Sequence, residues 1–296
     1  MKLMLPSLFA CILAAATVGA QTTLPRTQVL LFQMEKVDTN WFFRNPQFLS
    51  GFNPDGYNNQ PWFINNDELL LTVGRPGENQ TDIYHLDLRR KQLLRLTRTA
   101  ESEYSPKTTP DQLYFTVVRV EVDGERTQRL WRYPMDRKDS GQPVLRYLRN
   151  VGYYHWIDTY RLALFNIGEV NYLSLADLRD EQITELAPAI GRCFGTSPAG
   201  RLVFVHKITD NNWVLKALDP DTKAVETITQ TLPGSEDFAI MSDGTILMAS
   251  GSRLFMSHPR FDKSWREVAD FKGIGFTHIT RLAISRDNKL VLVNGG

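Results

Sequence analysis

Side chains able to move protons or hold a cation are spread along this chain and not gathered into a motif. Glu103, Glu121, Glu169, Glu236 and Asp237, with His155, His206 and His278, are of the types that act as general acids and bases or ligate metals. No two histidines stand two or four residues apart, so a metal site would have to be assembled by folding from distant segments. Of two cysteines, Cys193 lies between Arg192 and Phe194 and reads as a small core residue, not a nucleophile. Ser197 sits in Gly195-Thr196-Ser197-Pro198-Ala199, which lacks the closing glycine of a nucleophile elbow. Any chemistry therefore depends on which distant residues the fold brings together.

A repeat sets that fold. An apolar strand, a small polar turn and a second apolar strand recur six times. Anchored on Leu69, Leu113, Leu162, Leu202, Ile246 and Leu290, the steps are 44, 49, 40, 44 and 44 residues. The first copy continues with Asp82–Leu88 and Leu93–Thr97, so the unit is four strands with period-two alternation and no sustained helical period. A period in the forties built from short strands predicts a propeller blade. The expected fold is all-β: a six-bladed β-propeller of four-stranded antiparallel blades. The sixth repeat stops at Gly296 with two strands, and Gln28–Met34 and Trp41–Leu49 supply the two it lacks. Pairing the chain ends inside one blade would close the ring and remove a free sheet edge.

Residues 1–20 have the layout of a signal peptide: Lys2, an apolar stretch from Leu3 to Val18, and Val18-Gly19-Ala20 before Gln21. The stretch is shorter than the ~20 apolar residues that span a bilayer. Lipid attachment at Cys11 is weighed and set aside because Phe9 and the very short stretch ahead of it do not suit that processing. The chain is expected to be exported, periplasmic or secreted, with residues 21–296 forming one propeller domain and no transmembrane segment. Removing the leader leaves Cys193 alone, which excludes an internal disulfide and a thiolate metal cluster. Thirty-four basic against 33 acidic side chains give a net charge of +1, which argues against nucleic-acid binding through a bulk field.

The turns Thr109-Pro110-Asp111, Ser197-Pro198-Ala199-Gly200 and Ser242-Asp243-Gly244, each followed by apolar residues, resemble the Ser-Pro-Asp-Gly repeat of TolB-like propellers, also called the PD40 or WD40-like repeat. The resemblance covers essentially all of residues 21–296. It implies a six-bladed, commonly exported propeller that serves as a binding or scaffolding module. Asn65-Asn66-Asp67 lacks the proline, and Ile157-Asp158-Thr159-Tyr160 lacks both proline and glycine, so repeats one and three are degenerate.

In a propeller the loops entering the innermost strands and those between second and third strands share one face around the channel. They bring Tyr57, Asn59, Gln60, Glu103, Tyr104, His155, Trp156, Arg192, Glu236, Asp237 and His278 together with Arg119, Glu121, Glu169, Asn171, His206 and Lys207. This polar, aromatic set predicts a ligand-binding mouth for a protein segment, peptide, glycan or small ligand, with no cofactor. The alternative is a small-molecule hydrolase or lyase using the mouth carboxylates and histidines, with or without a metal. A third reading, a structural envelope component, predicts a large apolar side patch. As solvated positions, His155, Arg192 and Glu236 should tolerate alanine within ~0.5 kcal/mol. Trp156 and Phe204, packed between blades, should cost on the order of 3–5 kcal/mol.

Overall fold

The computed structural model describes residues 24–295; the predicted leader and Cys11 lie outside them. Within the described residues, β1 (Thr27–Val37) and β2 (Asn40–Phe48) precede five complete blades. Blade one is β3 (Tyr57–Phe63), β4 (Glu68–Gly74), β5 (Asp82–Asp87) and β6 (Gln92–Arg95). Blade two is β7 (Ser102–Thr108), β8 (Tyr114–Val120), β9 (Gln128–Pro134) and β10 (Gln142–Pro143). Blade three is β11 (Val151–Trp156), β12 (Arg161–Asn166), β13 (Tyr172–Asp177) and β14 (Gln182–Pro188). Blade four is β15 (Ile190–Thr196), β16 (Leu202–Thr209), β17 (Asn212–Leu218) and β18 (Val225–Gln230). Blade five is β19 (Phe238–Ile240), β20 (Ile246–Ser250), β21 (Arg253–Ser257) and β22 (Arg266–Asp270). Blade six joins β23 (Ile279–Ile284) and β24 (Lys289–Gly295) to the N-terminal strands in the order β2-β1-β24-β23. Every pairing within the blades is antiparallel, and the predicted sixfold ring closed across the two chain ends is present.

The second strands explain why their sequences are continuous apolar runs. On β4, Leu69 and Leu71 pack with Val29, Leu31, Val291 and Val293 of blade six, whereas Leu70 packs with Phe115 and Val117 of blade two. Alternate side chains thus serve opposite neighbours, and both faces of each sheet are buried. Six apolar clusters result, one at each junction between blades.

Register corrects the repeat anchor. The last residue of each innermost strand pairs with the first buried residue of the second: Phe63 with Leu69, Trp156 with Leu162, Thr196 with Leu202, Ile240 with Ile246 and Ile284 with Leu290. In blade two the pair is Thr108 with Phe115, and Leu113 lies in the preceding turn, 64% exposed. That turn is one residue longer than the other five, and anchoring on Phe115 changes the steps on either side from 44 and 49 to 46 and 47 residues.

The turns themselves show why the degenerate repeats still fold. Gly200 and Gly244 take left-handed φ values of 78° and 95° and close their turns on Ser197 and Met241 carbonyls. Repeats one and three use side chains for the same task. Asn65 Oδ1 accepts from the Asp67 amide at 2.8 Å, and Asp158 Oδ1 accepts from the Tyr160 and Arg161 amides at 2.8 and 2.9 Å. The fourth strand of blade two is the shortest in the ring. It is only Gln142–Pro143, because after Val144 the chain turns inward, buries Leu145 and bridges Asn150 to Gln128.

Phe115→Ala is expected to destabilise the fold by ~3–5 kcal/mol as a buried aromatic deletion. Leu113→Ala should stay within ~0.5 kcal/mol, as an exposed position. Urea unfolding of the two variants checks the corrected register.

Candidate ligand-binding site

One residue before each closing pair, the innermost strands contribute Trp62, Lys107, His155, Gly195, Ala239 and Ala283 to a ring around the channel. The bulky members belong to blades one to three and the small members to blades four to six, where Gly195 lets Phe238 and Ile240 of blade five pack closely against β15. This level belongs to a cavity of about 1170 Å3 lined by the later halves of the innermost strands and the turns after them. Tyr153, Trp156, Phe63, Ile64, Ile157 and Ile240 give it aromatic and aliphatic walls.

Its floor is a charged bridge across the ring. Asp237 of blade five binds Arg192 of blade four at 2.5 Å and Arg281 of blade six at 2.8 Å. Arg281 also donates to the Tyr153 hydroxyl at 3.3 Å, on blade three, diametrically opposite in a six-membered ring. Glu236 extends the network to Arg192 at 3.4 Å and to Lys207 at 2.8 Å. The neighbouring carboxylates hold the Arg192 guanidinium above its ordinary pKa against the opposing effect of burial. Burial raises the Glu236 carboxyl, but its bonds to Lys207 and the charge of Arg192 outweigh that and leave it below the usual value.

Above the floor, three adjacent blades share a second polar chain. Lys107 Nζ lies 3.2 Å from His155 Nδ1, and His155 Nε2 lies 2.7 Å from Thr196 Oγ1. An ammonium can only donate, so Nδ1 accepts and the imidazole proton sits on Nε2, directed at Thr196. Burial, reinforced by the Lys107 charge, holds His155 well below its usual pKa. It is a neutral imidazole throughout the neutral range. Lys107 stands 5.0 Å from the Trp62 ring centroid and 5.6 Å from that of Tyr154, and makes no ion pair among the described residues. Burial lowers its pKa to about 8. Cys193, also on the cavity wall, sits against the Phe238 backbone, and burial pushes its thiol up to about 12, so it is not a thiolate.

The predicted residues fall into several places. Gln60, His155, Trp156, Arg192 and Asp237 line the cavity. Gln60 Oε1 ties blade one to blade two by accepting from Thr72 Oγ1 at 2.9 Å and the Ser105 amide at 2.8 Å. Glu236 and Lys207 belong to the bridge network but are not on the cavity wall. Tyr57 is buried at the start of β3, where desolvation raises its pKa, and Asn59 is buried beside it. Tyr104 packs against the cluster between blades two and three. Arg119 pairs with Glu101 at 2.6 Å and stacks on Trp131, while Glu121 accepts from Trp131 Nε1 at 2.9 Å and pairs with Arg129 at 3.2 Å. Glu169 and His278 are exposed, and Asn171 caps the Gly168 turn. His206 is partly buried on β16 with its Nδ1 unpartnered. The sequence reading placed one mouth where the chain enters the innermost strands; the cavity lies on the other side of the charged bridge. His155 is buried, so the tolerance of alanine expected there no longer holds. Among the described residues no three His, Cys, Asp or Glu side chains are placed to share a metal ion.

Lys107, Trp62, Tyr153, Arg281 and Thr196 went unnoticed in the sequence. The one available signal was a lysine inside an innermost strand, where a charged side chain faces either the channel or a neighbouring blade.

Glu103 has a different role. It is fully buried between blades one and two, accepting from Thr99, from Thr97 Oγ1 at 3.3 Å and from the Tyr133 hydroxyl at 3.4 Å. Desolvation dominates, helped by the Asp82 charge, and raises its pKa from 4.5 to about 7. The folded protein therefore keeps a proton that the unfolded chain releases above pH 4.5. Stability present below that pH is lost as pH rises to 7, by on the order of 3 kcal/mol. Glu103→Gln should flatten this loss, read as a smaller drop in the thermal midpoint between pH 4.5 and pH 7.5 than in the unsubstituted protein.

No family model and no curated protein sequence matches the chain. Solved structures do. A protein provisionally called TolB from Agrobacterium tumefaciens superposes with a TM-score of 0.68 at 14% identity, over 92% of this chain and 99% of that one. TolB from Acinetobacter baumannii gives 0.59 at 12% identity, over 92% of this chain, which spans 64% of that longer one. A chain of a Nidogen/Laminin complex gives 0.61 at 11% identity, over 90% of this chain and 98% of that one. Identities this low carry the fold and nothing finer. With six blades, a terminus-closed ring and these neighbours, the chain has the fold of a TolB-like β-propeller.

Proposed function

We propose that this protein is an exported, periplasmic or secreted, non-enzymatic binding module that takes an extended segment of a partner protein into its channel cavity. The blind cavity carries the reading. At about 1170 Å3 it exceeds the ~300–1,000 Å3 usual for small-molecule sites, and its aromatic walls suit anchoring side chains. The carboxylates and histidines considered for catalysis are dispersed: Glu103 lies between blades, Glu169 is exposed, and Glu236 and Asp237 are engaged by Arg192, Lys207 and Arg281. Occurrence of the same fold in a Nidogen/Laminin complex supports a protein partner. The leader at residues 1–20 supports action outside the cytoplasm, and among the described residues no helix is long and apolar enough to cross a membrane.

Peptides selected from a displayed random library test the assignment. Thr196 is exposed at the cavity wall, so a tryptophan fits there; losing the acceptor of His155 Nε2 should cost about 1–3 kcal/mol, and Thr196→Trp should keep a cooperative thermal transition at a lower midpoint. It should weaken selected peptides about tenfold or more by filling the cavity, measured by fluorescence of Trp62 and Trp156. Peptides that bind parent and variant alike place the binding surface elsewhere.

A further inference from the structure

Lys107 is a cation without a counter-charge inside a cavity that is open to solvent. Its neighbours come from four innermost or second strands. Trp62 lies on β3, Tyr154 and His155 on β11, Thr116 beside it on β8, and Cys193 on β15. His155 is neutral, the Cys193 thiol is protonated, and burial keeps the Tyr154 hydroxyl protonated as well. None supplies a negative charge. The floor adds to the excess: Arg192, Arg281 and Lys207 share two carboxylates, Asp237 and Glu236. Turns at the rim carry both signs, with Asp67, Glu68 and Asp87 against Arg89, Arg90 and Arg286. The positive surplus therefore lies at depth.

A half-buried ammonium with one hydrogen-bond acceptor keeps unused N–H donors, and aromatic faces attract it without cancelling its charge. Leaving such a group unpaired in a low-dielectric site is costly, and an anion brought by a ligand relieves that cost. Room for one exists in the cavity that Lys107 lines, whose volume is about 1170 Å3. Trp62, Tyr153 and Trp156 flank it with apolar surface.

We infer that the cavity recognises a carboxylate attached to an apolar or aromatic group, with Lys107 as its cationic anchor between Trp62 and His155. The inference rests on the cavity being the binding site and adds the chemistry it selects. The carboxylate is either the free C-terminus of a peptide or that of a small organic acid. His155 is a positioning residue: by accepting from Lys107 at Nδ1 and donating to Thr196 at Nε2, it fixes where the ammonium points. An anion bound there favours the charged amine, so binding should weaken as pH rises past about 8, where the free lysine loses its proton.

The test compares acid and amide pairs on the full chain by tryptophan fluorescence and calorimetry. The probes are 3-phenylpropionate with 3-phenylpropanamide, and Ala-Ala-Phe with its C-terminal amide. The inference requires at least one acid to bind about tenfold more tightly than its amide at pH 7. It also requires Lys107→Met, checked for an intact thermal midpoint, to erase that preference, so that acid and amide bind within about twofold of each other. Preference in the peptide pair alone identifies a chain terminus as the source, and preference in the phenylpropionate pair identifies small acids. Acid and amide bound equally well in the cavity overturn the carboxylate while leaving the cavity as a binding site. A preference that survives in Lys107→Met, or no binding of any probe to ~10 mM, overturns it too. The peptide-library experiment with Thr196→Trp does not depend on these probes and decides the broader reading separately.

Discussion

The pairing of β1 with β24 holds the two ends of the chain in one sheet, and the geometry of the channel depends on it. Seven residues from Thr27 to Gln33 lie in continuous antiparallel register with Gly295 to Lys289. The same strands supply Val29 and Leu31 to the cluster facing blade one, and Phe32 and Met34 to the cluster facing blade five. A blade of β23 and β24 alone would have too little apolar surface to fill both junctions and would leave a free edge. Locking blade six between its neighbours is what places Arg281 where it meets Asp237 and reaches Tyr153 on the opposite side of the ring.

That bridge converts a channel into a cavity. An ion pair of this kind is weak evidence for stability, since desolvating its groups offsets much of the attraction. Its consequence is geometric: one end of the axis is crossed by three cations that share two carboxylates, and the opposite side keeps open space. Five innermost strands shift register along their length, and two of them carry a left-handed residue at the break. Gln60 and Ser105, each followed by proline, have φ values of 54° and 55°, in the left-handed region, and both strands shift register there. These bulges let the Gln60 side chain cross from blade one to the Ser105 amide of blade two.

Polar groups in the ring divide by what surrounds them. Arg192 and Glu236 keep their charges because each has an opposite partner. Glu103 has hydroxyl donors but lies deep between sheets beside Asp82, so burial favours its neutral form. Lys107 has no carboxylate partner among the described residues, and its ammonium lies over the Trp62 and Tyr154 rings. The chain thus has carboxylates enough for chemistry, with several of them committed to structure: Glu121 to Trp131 and Arg129, Glu236 and Asp237 to the floor.

The blade number, the antiparallel four-stranded unit and the closure by the N-terminal strands were determined by the sequence alone. Period, alternation and turn residues are local signals that repeat six times, and the two strands missing at one end match the two in excess at the other. Even there one anchor was misread, because Leu113 and Phe115 are both apolar and only the pairing of Phe115 with Thr108 shows which begins the strand. The site was legible in fragments: Gln60, His155, Trp156, Arg192 and Asp237 do reach the cavity, while most of the other candidates serve blade junctions or stand in solvent. Which end of the axis is blocked, and which strand face meets it, was decided only by tertiary structure. Both alternating faces of an innermost strand are enclosed, so polarity does not tell channel from junction. The decisive contacts join residues such as Tyr153 and Arg281, 128 positions apart in the chain, through no motif that either segment contains.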